Sequence, residues 1–178
     1  MHKTAILIVL TLLVSRGVAQ AQSFKLYGSG GPTVTDDGTS FAVGAGFSPT
    51  PHLTLAVSFD RTHLASRPTW TTYGGSSFRG GTLSLGAAEV RVTPFVKTRV
   101  RPFGLVGFAA GISRPNVNEI FQDPITNEVR AMFIGGGVEV PINEHFAILV
   151  DGRVLVGAEG NEGMVGVVPV RAGVAWRF

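Results

Sequence analysis

The hydrophobic and polar positions of this chain alternate with a period of two. Among residues 148–156 the even positions Ile148, Val150, Val154 and Val156 are aliphatic around Gly152, while Asp151 and Arg153 stand on the odd ones. Leu53, Leu55, Val57 and Phe59 oppose Thr54, Ala56, Ser58 and Asp60, and Met132, Ile134, Val138 and Val140 oppose Gly135, Gly137 and Glu139. In the last run Val168, Val170, Ala172, Val174, Trp176 and Phe178 share one parity, and Arg171, Gly173, Ala175 and Arg177 the other. Successive side chains of an extended strand point to opposite faces, so this period predicts strands with two different surroundings. Eight such runs are bounded by turn residues, at about 24–30, 39–48, 53–62, 81–95, 101–112, 129–141, 146–157 and 165–178. Even strands in hairpin succession predict an all-β antiparallel up-and-down meander, closed into a barrel because closure removes exposed edges.

Two places strain the pattern. Leu83 and Leu85 share the parity of Glu89 and Arg91, so either a bulge near Gly86 switches the faces or the leucines fill one end of the barrel interior. Pro169 cannot donate a ladder hydrogen bond and predicts a position at the barrel rim or a bulge.

The connections around 49–52, 97–100 and 142–145 are tight, and those around 33–38, 63–79, 113–128 and 158–164 are mostly longer. Short turns at one end and long loops at the other suit an outer-membrane barrel, although a soluble barrel of the lipocalin kind also alternates its faces. The nature of the faces decides. A water-facing surface normally carries many lysines, and beyond residue 21 only Lys25 and Lys97 occur. Glycines, alanines and a few charges fit a narrow polar lumen instead, with the aliphatic face toward lipid.

Residues 1–21 run from a basic start (His2, Lys3) through an apolar core at 5–14 to Ala19-Gln20-Ala21, the order of a cleaved signal peptide. Residues 22–178 then form one barrel domain. Without Lys3 and Arg16 the formal charge falls from +3 to +1, which removes the argument for a nucleic-acid partner. No cysteine is present, so thiolate chemistry and disulfide staples are excluded.

The charges on the inward parity are Asp60, Glu89, Arg91, Glu139, Asp151, Arg153 and Arg171. In a low dielectric each needs a partner, so they read as a structural network plugging the lumen, or alternatively as a gate whose pairs exchange and admit small ions. With the 158–164 loop centred near Asn161, Asp151 is expected opposite Arg171. A lipid-modifying enzyme would need a nucleophile and base within reach. His52 and His145 fall in tight turns, and His63 near Ser66 and Arg67 reads as a rim residue, so no catalytic residue is assigned. The histidines lack metal-ligand spacing, and no metal or other cofactor is expected. Trp70, Tyr73, Phe78, Ile120 and Phe121 in the long loops suit recognition or adhesion of an extracellular ligand, or else an interfacial girdle.

The chain closes on RAGVAWRF. Arg171, Gly173, Trp176 and the terminal Phe178 resemble the C-terminal signal of outer-membrane barrels, a polar residue, a glycine and a terminal aromatic. Together with the strand count and loop asymmetry, the motif makes the mature chain similar to the small eight-stranded outer-membrane proteins of the OmpA-barrel and OmpX kind. That resemblance implies a transmembrane barrel in the cell outer membrane, surrounded by its lipids, whose end strand is recognised by the barrel assembly machinery. It carries no functional motif. The expected role is a surface scaffold with a mostly plugged polar lumen and recognition loops, a narrow gated channel being the alternative.

Overall fold

A computed structural model describes residues 23–35, 37–65, 67–71, 74–78, 80–115, 126–160 and 163–178; the expected signal peptide lies outside the described residues. The strands are β1 (Ser23–Pro32), β2 (Thr39–Thr50), β3 (Leu53–Leu64), β4 (Arg67–Thr71), β5 (Gly74–Phe78), β6 (Gly81–Val92), β7 (Arg101–Pro115), β8 (Asn127–Pro141), β9 (Phe146–Glu159), β10 (Gly163–Val167) and β11 (Val170–Arg177). All pairings are antiparallel between neighbours along the barrel meander. The last strand, β10 with β11, pairs with β9, and β11 also pairs with β1, which closes the ring. β4 and β5 pair only with each other, so eight barrel strands result. Closure gives the central strands partners on both sides, the condition for placing a sheet in lipid.

Alternation decides which side chains meet the interior. Along β3, Thr54, Ala56, Ser58, Asp60, Thr62 and Leu64 are buried between exposed neighbours. The outward positions form an apolar belt, with Phe108 63% and Ile134 66% exposed. Leaving such a surface in water would cost about 25 cal/mol for each Å² of it, so its stable surroundings are apolar.

The strained places resolve physically. The β6 register runs without a shift against both neighbours, and Leu83 and Leu85 are buried inside, so the leucines fill the interior and no bulge forms at Gly86. A register shift does occur, between Phe47 and Thr50 of β2. Pro169 separates β10 from β11 and bridges Thr33 just past the end of β1, at the lip on that side; its carbonyl accepts from the Arg153 amide at 3.2 Å. β6 stops at Val92, short of the expected residue 95, because Pro94 has no amide to donate. Two expected loops contain more strand than anticipated: β9 and β10 pair up to Glu159 and Gly163, and residues 67–78 hold the β4–β5 hairpin.

Candidate functional site: the charged lumen

Inward parity brings six of the seven expected lumen charges into one chain of contacts. Glu89 and Arg91 stand two apart on β6, and the Arg91 Nε donates to Glu89 Oε1 at 2.5 Å. Arg153 on β9 lies with Nη1 3.1 Å from Glu89 Oε2 and donates through Nε and Nη2 to Asp151 Oδ2, each at 3.1 Å. Arg171 on β11 donates to the same Asp151 oxygen at 3.1 Å and, across the lumen, to Asp60 Oδ1 on β3. Asp60 also accepts from Ser58 Oγ at 2.8 Å, and Tyr27 donates to Glu89 at 3.4 Å. Asp151 and Arg171 are direct register partners. Three guanidiniums thus alternate with three carboxylates, all six residues are buried, and their formal charges cancel. Cancellation matters here, since an unpaired ion in a dry interior costs several kcal/mol.

Three aromatic rings carry this chain, and each lies over a glycine. Tyr27 pairs with Gly44, Phe103 with Gly137 and Phe133 with Gly107 in register. A Cβ on those glycines would stand only 2.5 Å from the Tyr27 ring, 2.9 Å from Phe103 and 2.5 Å from Phe133, so the missing side chain is what lets each ring lie flat. The Arg91 guanidinium then sits 4.5 Å from the Tyr27 centroid and 5.3 Å from that of Phe103, and Arg153 sits 5.0 Å from Phe133. These contacts add cation–π attraction to the ion pairs. The sequence reading assigned no role to these rings. The available signal was an inward glycine opposite an inward aromatic on the next strand, a known sheet device.

Toward the long-loop end the charged layer meets apolar side chains, including Leu83, Leu85, Leu155 and Val167, with a gap of about 20 Å³ between them and the charges. That is room for about one water molecule. Toward the short-turn end the interior opens into a cavity of about 340 Å³. The seventh expected charge, Glu139, lies there, apart from the other six; it pairs with Lys25 Nζ at 3.1 Å and with Arg177.

The proposed C-terminal signal has a divided structure. Arg171 belongs to the charged chain, and Gly173 abuts the backbone of Gly28 and Ser29. Trp176 and Phe178 point outward, 4.3 Å apart between centroids, with Trp176 stacked on Phe146 at 6.3 Å. The Phe178 amide donates to the Phe24 carbonyl at 2.9 Å, which ties the end down.

The histidines are scattered. His52 Nδ1 donates to the Thr93 carbonyl at 2.9 Å, and the His145 carbonyl accepts from Arg177 N at 2.7 Å, both in short turns. His63 is exposed on β3, while Ser66 lies outside the described residues. Among the described residues no group of three or more His, Cys, Asp or Glu is placed to hold a metal ion. Trp70 and Phe78 fall in β4 and β5; Tyr73, Ile120 and Phe121 lie outside the described residues.

No family model matches the chain, and no curated protein sequence matches it. Solved structures do. The N-terminal β-barrel domain of Pseudomonas aeruginosa OprF is similar with a TM-score of 0.64 at 16% identity, over 89% of this chain and 98% of that one. Neisserial surface protein A gives 0.63 at 14% identity, over 88% and 95%. Ail of Yersinia pestis, solved in complex with the heparin analogue sucrose octasulfate, gives 0.51 at 15% identity, over 88% and 97%. The chain therefore has the fold of the small eight-stranded outer-membrane β-barrels, in which an outward apolar belt of this kind faces lipid.

Proposed function

We propose that this protein is a closed outer-membrane scaffold whose lumen is plugged by its own charges and whose extracellular end serves recognition. The observation that carries the proposal is the neutral six-residue chain from Arg91 to Asp60, packed against the leucines with room for about one water. At eight strands the interior is just wide enough for side chains to fill it. Residues 1–21 would supply export, and Arg171, Gly173, Trp176 and Phe178 would present the end strand to the assembly machinery. The aromatic and aliphatic residues of the sequence around 63–79 and 113–128 suit the recognition role; a neighbour of this fold holds a heparin analogue, so ligand binding is compatible with the architecture. No catalytic role is part of this reading.

The test is single-channel recording on the refolded protein in planar bilayers. No conductance steps are expected. A steady open level in the unmodified protein would overturn the plug and favour the narrow channel, for which the Asp151 oxygen shared by Arg153 and Arg171 offers an exchange point.

A further inference from the structure

The second charge cluster is built differently from the first. At the short-turn end, which in outer-membrane barrels is periplasmic, the cavity of about 340 Å³ brings Lys25, Arg101 and Arg177 together with one carboxylate, Glu139. Glu139 is the register partner of Arg101, yet its ion pairs go to Lys25 and Arg177. Among the described residues no other carboxylate forms an ion pair with these three cations. Three formal positive charges therefore face one negative charge. In addition, Arg101 Nε and Arg177 Nε are buried with no hydrogen-bond partner. A buried donor without an acceptor costs about 1–3 kcal/mol, more for a charged group. Arg171 Nε of the neutral chain is likewise unpartnered, so it is the combination of two such donors with a charge excess around an open cavity that describes a site lacking its acceptor. Ser23 and Thr93 also line the cavity and add hydroxyls.

We propose that this periplasmic vestibule binds a phosphate group. Guanidinium forks suit tetrahedral oxyanions because several N–H donors converge on adjacent oxygens. A doubly charged phosphate would cancel the excess of two and give the Arg101 and Arg177 donors an acceptor. The volume admits a group larger than inorganic phosphate alone. Phosphate reaches the vestibule either as a free periplasmic solute or as the singly charged phosphodiester of an inner-leaflet phospholipid headgroup, which would cancel half of the excess.

The experiment is solution NMR of the refolded full barrel in a phosphate-free maltoside detergent, following the arginine Nε–H resonances. Inorganic phosphate is titrated in one arm, and phosphatidylglycerol is added without free phosphate in the other. Saturable shifts at Arg101 and Arg177 are expected in at least one arm, and the responding arm identifies the source. Arg101→Gln should weaken the response by about tenfold or more, as loss of a charge-assisted hydrogen bond implies. Glu139→Gln should strengthen it, because the competing carboxylate is gone. Arg130→Gln, at the exposed opposite end, should leave it unchanged. Folding of each variant is checked by heat-modifiable gel mobility. No saturation in either arm, equal shifts with chloride at matched ionic strength, or a response untouched in both Arg101→Gln and Glu139→Gln would overturn the site.

Discussion

Asp151 shows how a lumen residue differs from a surface ion. One of its oxygens accepts from both Arg153 and Arg171, so removing it takes a carboxylate from two buried guanidiniums at once and leaves the chain one negative charge short, with Arg153 held only by Glu89 and Arg171 only by Asp60. Asp151→Ala is expected to destabilise the refolded barrel by about 3 kcal/mol or more in urea unfolding. Adding Arg171→Ala should return only part of the loss, because Asp60 then loses its arginine while Arg153 keeps Glu89 alone. Additive effects of the two substitutions would show that the pair does not couple. A sharper comparison uses two glycines of β7. A Cβ at Gly107 meets the Ala88 carbonyl at 2.3 Å and the Phe133 ring at 2.5 Å, whereas one at Gly104 meets nothing within 4 Å. Gly107→Ala should cost about 1–3 kcal/mol and Gly104→Ala less than about 0.5; equal stabilities by urea titration would refute the ring-on-glycine packing. Asp151 opposite Arg171 was legible in the sequence, since parity and the centre of one hairpin fix it. The contacts of Arg171 with Asp60 and of Lys25 with Glu139 were not legible. Each crosses the lumen between strands that are not neighbours, and alternation along a strand says which face a residue takes but not what it meets across the barrel.

At the scale of elements, alternation located all eight barrel strands because each has a lumen face and a lipid face. Their ends were harder to read. Where both faces of a strand meet water the contrast disappears, and so the paired tips of β9 and β10 looked like part of a loop, while 67–78 lacks the two-residue alternation that would have marked the β4–β5 hairpin. The final strand is legible to its last residue for the opposite reason: its outward aromatics still need the interface. Phe178 holds β11 through its amide on the Phe24 carbonyl and its ring on Trp176, which in turn stacks on Phe146 of β9. Deleting Phe178 should therefore reduce the heat-modifiable, membrane-assembled fraction far more than deleting Asn161, between β9 and β10 in the sequence. Equal assembled fractions on unheated gels would leave the C-terminal aromatics without a role in assembly.

Across the whole molecule the interior is layered: a cationic vestibule, a neutral chain of ion pairs, then apolar side chains under the long loops. The last two layers act on permeant ions by different physics. The charged chain occupies the cross-section with side chains locked to one another and to aromatic rings, while the leucine layer offers an ion little to replace its water, since the Ser40 and Thr62 hydroxyls beside it are hydrogen-bonded to each other. Two barriers in series predict that neither alone controls passage. Glu89→Ala with Arg153→Ala removes one charge of each sign and the bulk of the central bridge; Leu83→Ala with Leu155→Ala thins the apolar layer without touching a charge. Each double variant, once shown to be folded by heat-modifiable mobility, is expected to remain without conductance steps in planar bilayers, and the fourfold variant to show them. A gate built on the ion pairs alone gives a different result, because Asp151→Ala by itself would then raise conductance. If the charge variants conduct while the leucines are intact, the apolar layer is not a barrier and closure rests on the six ionic residues.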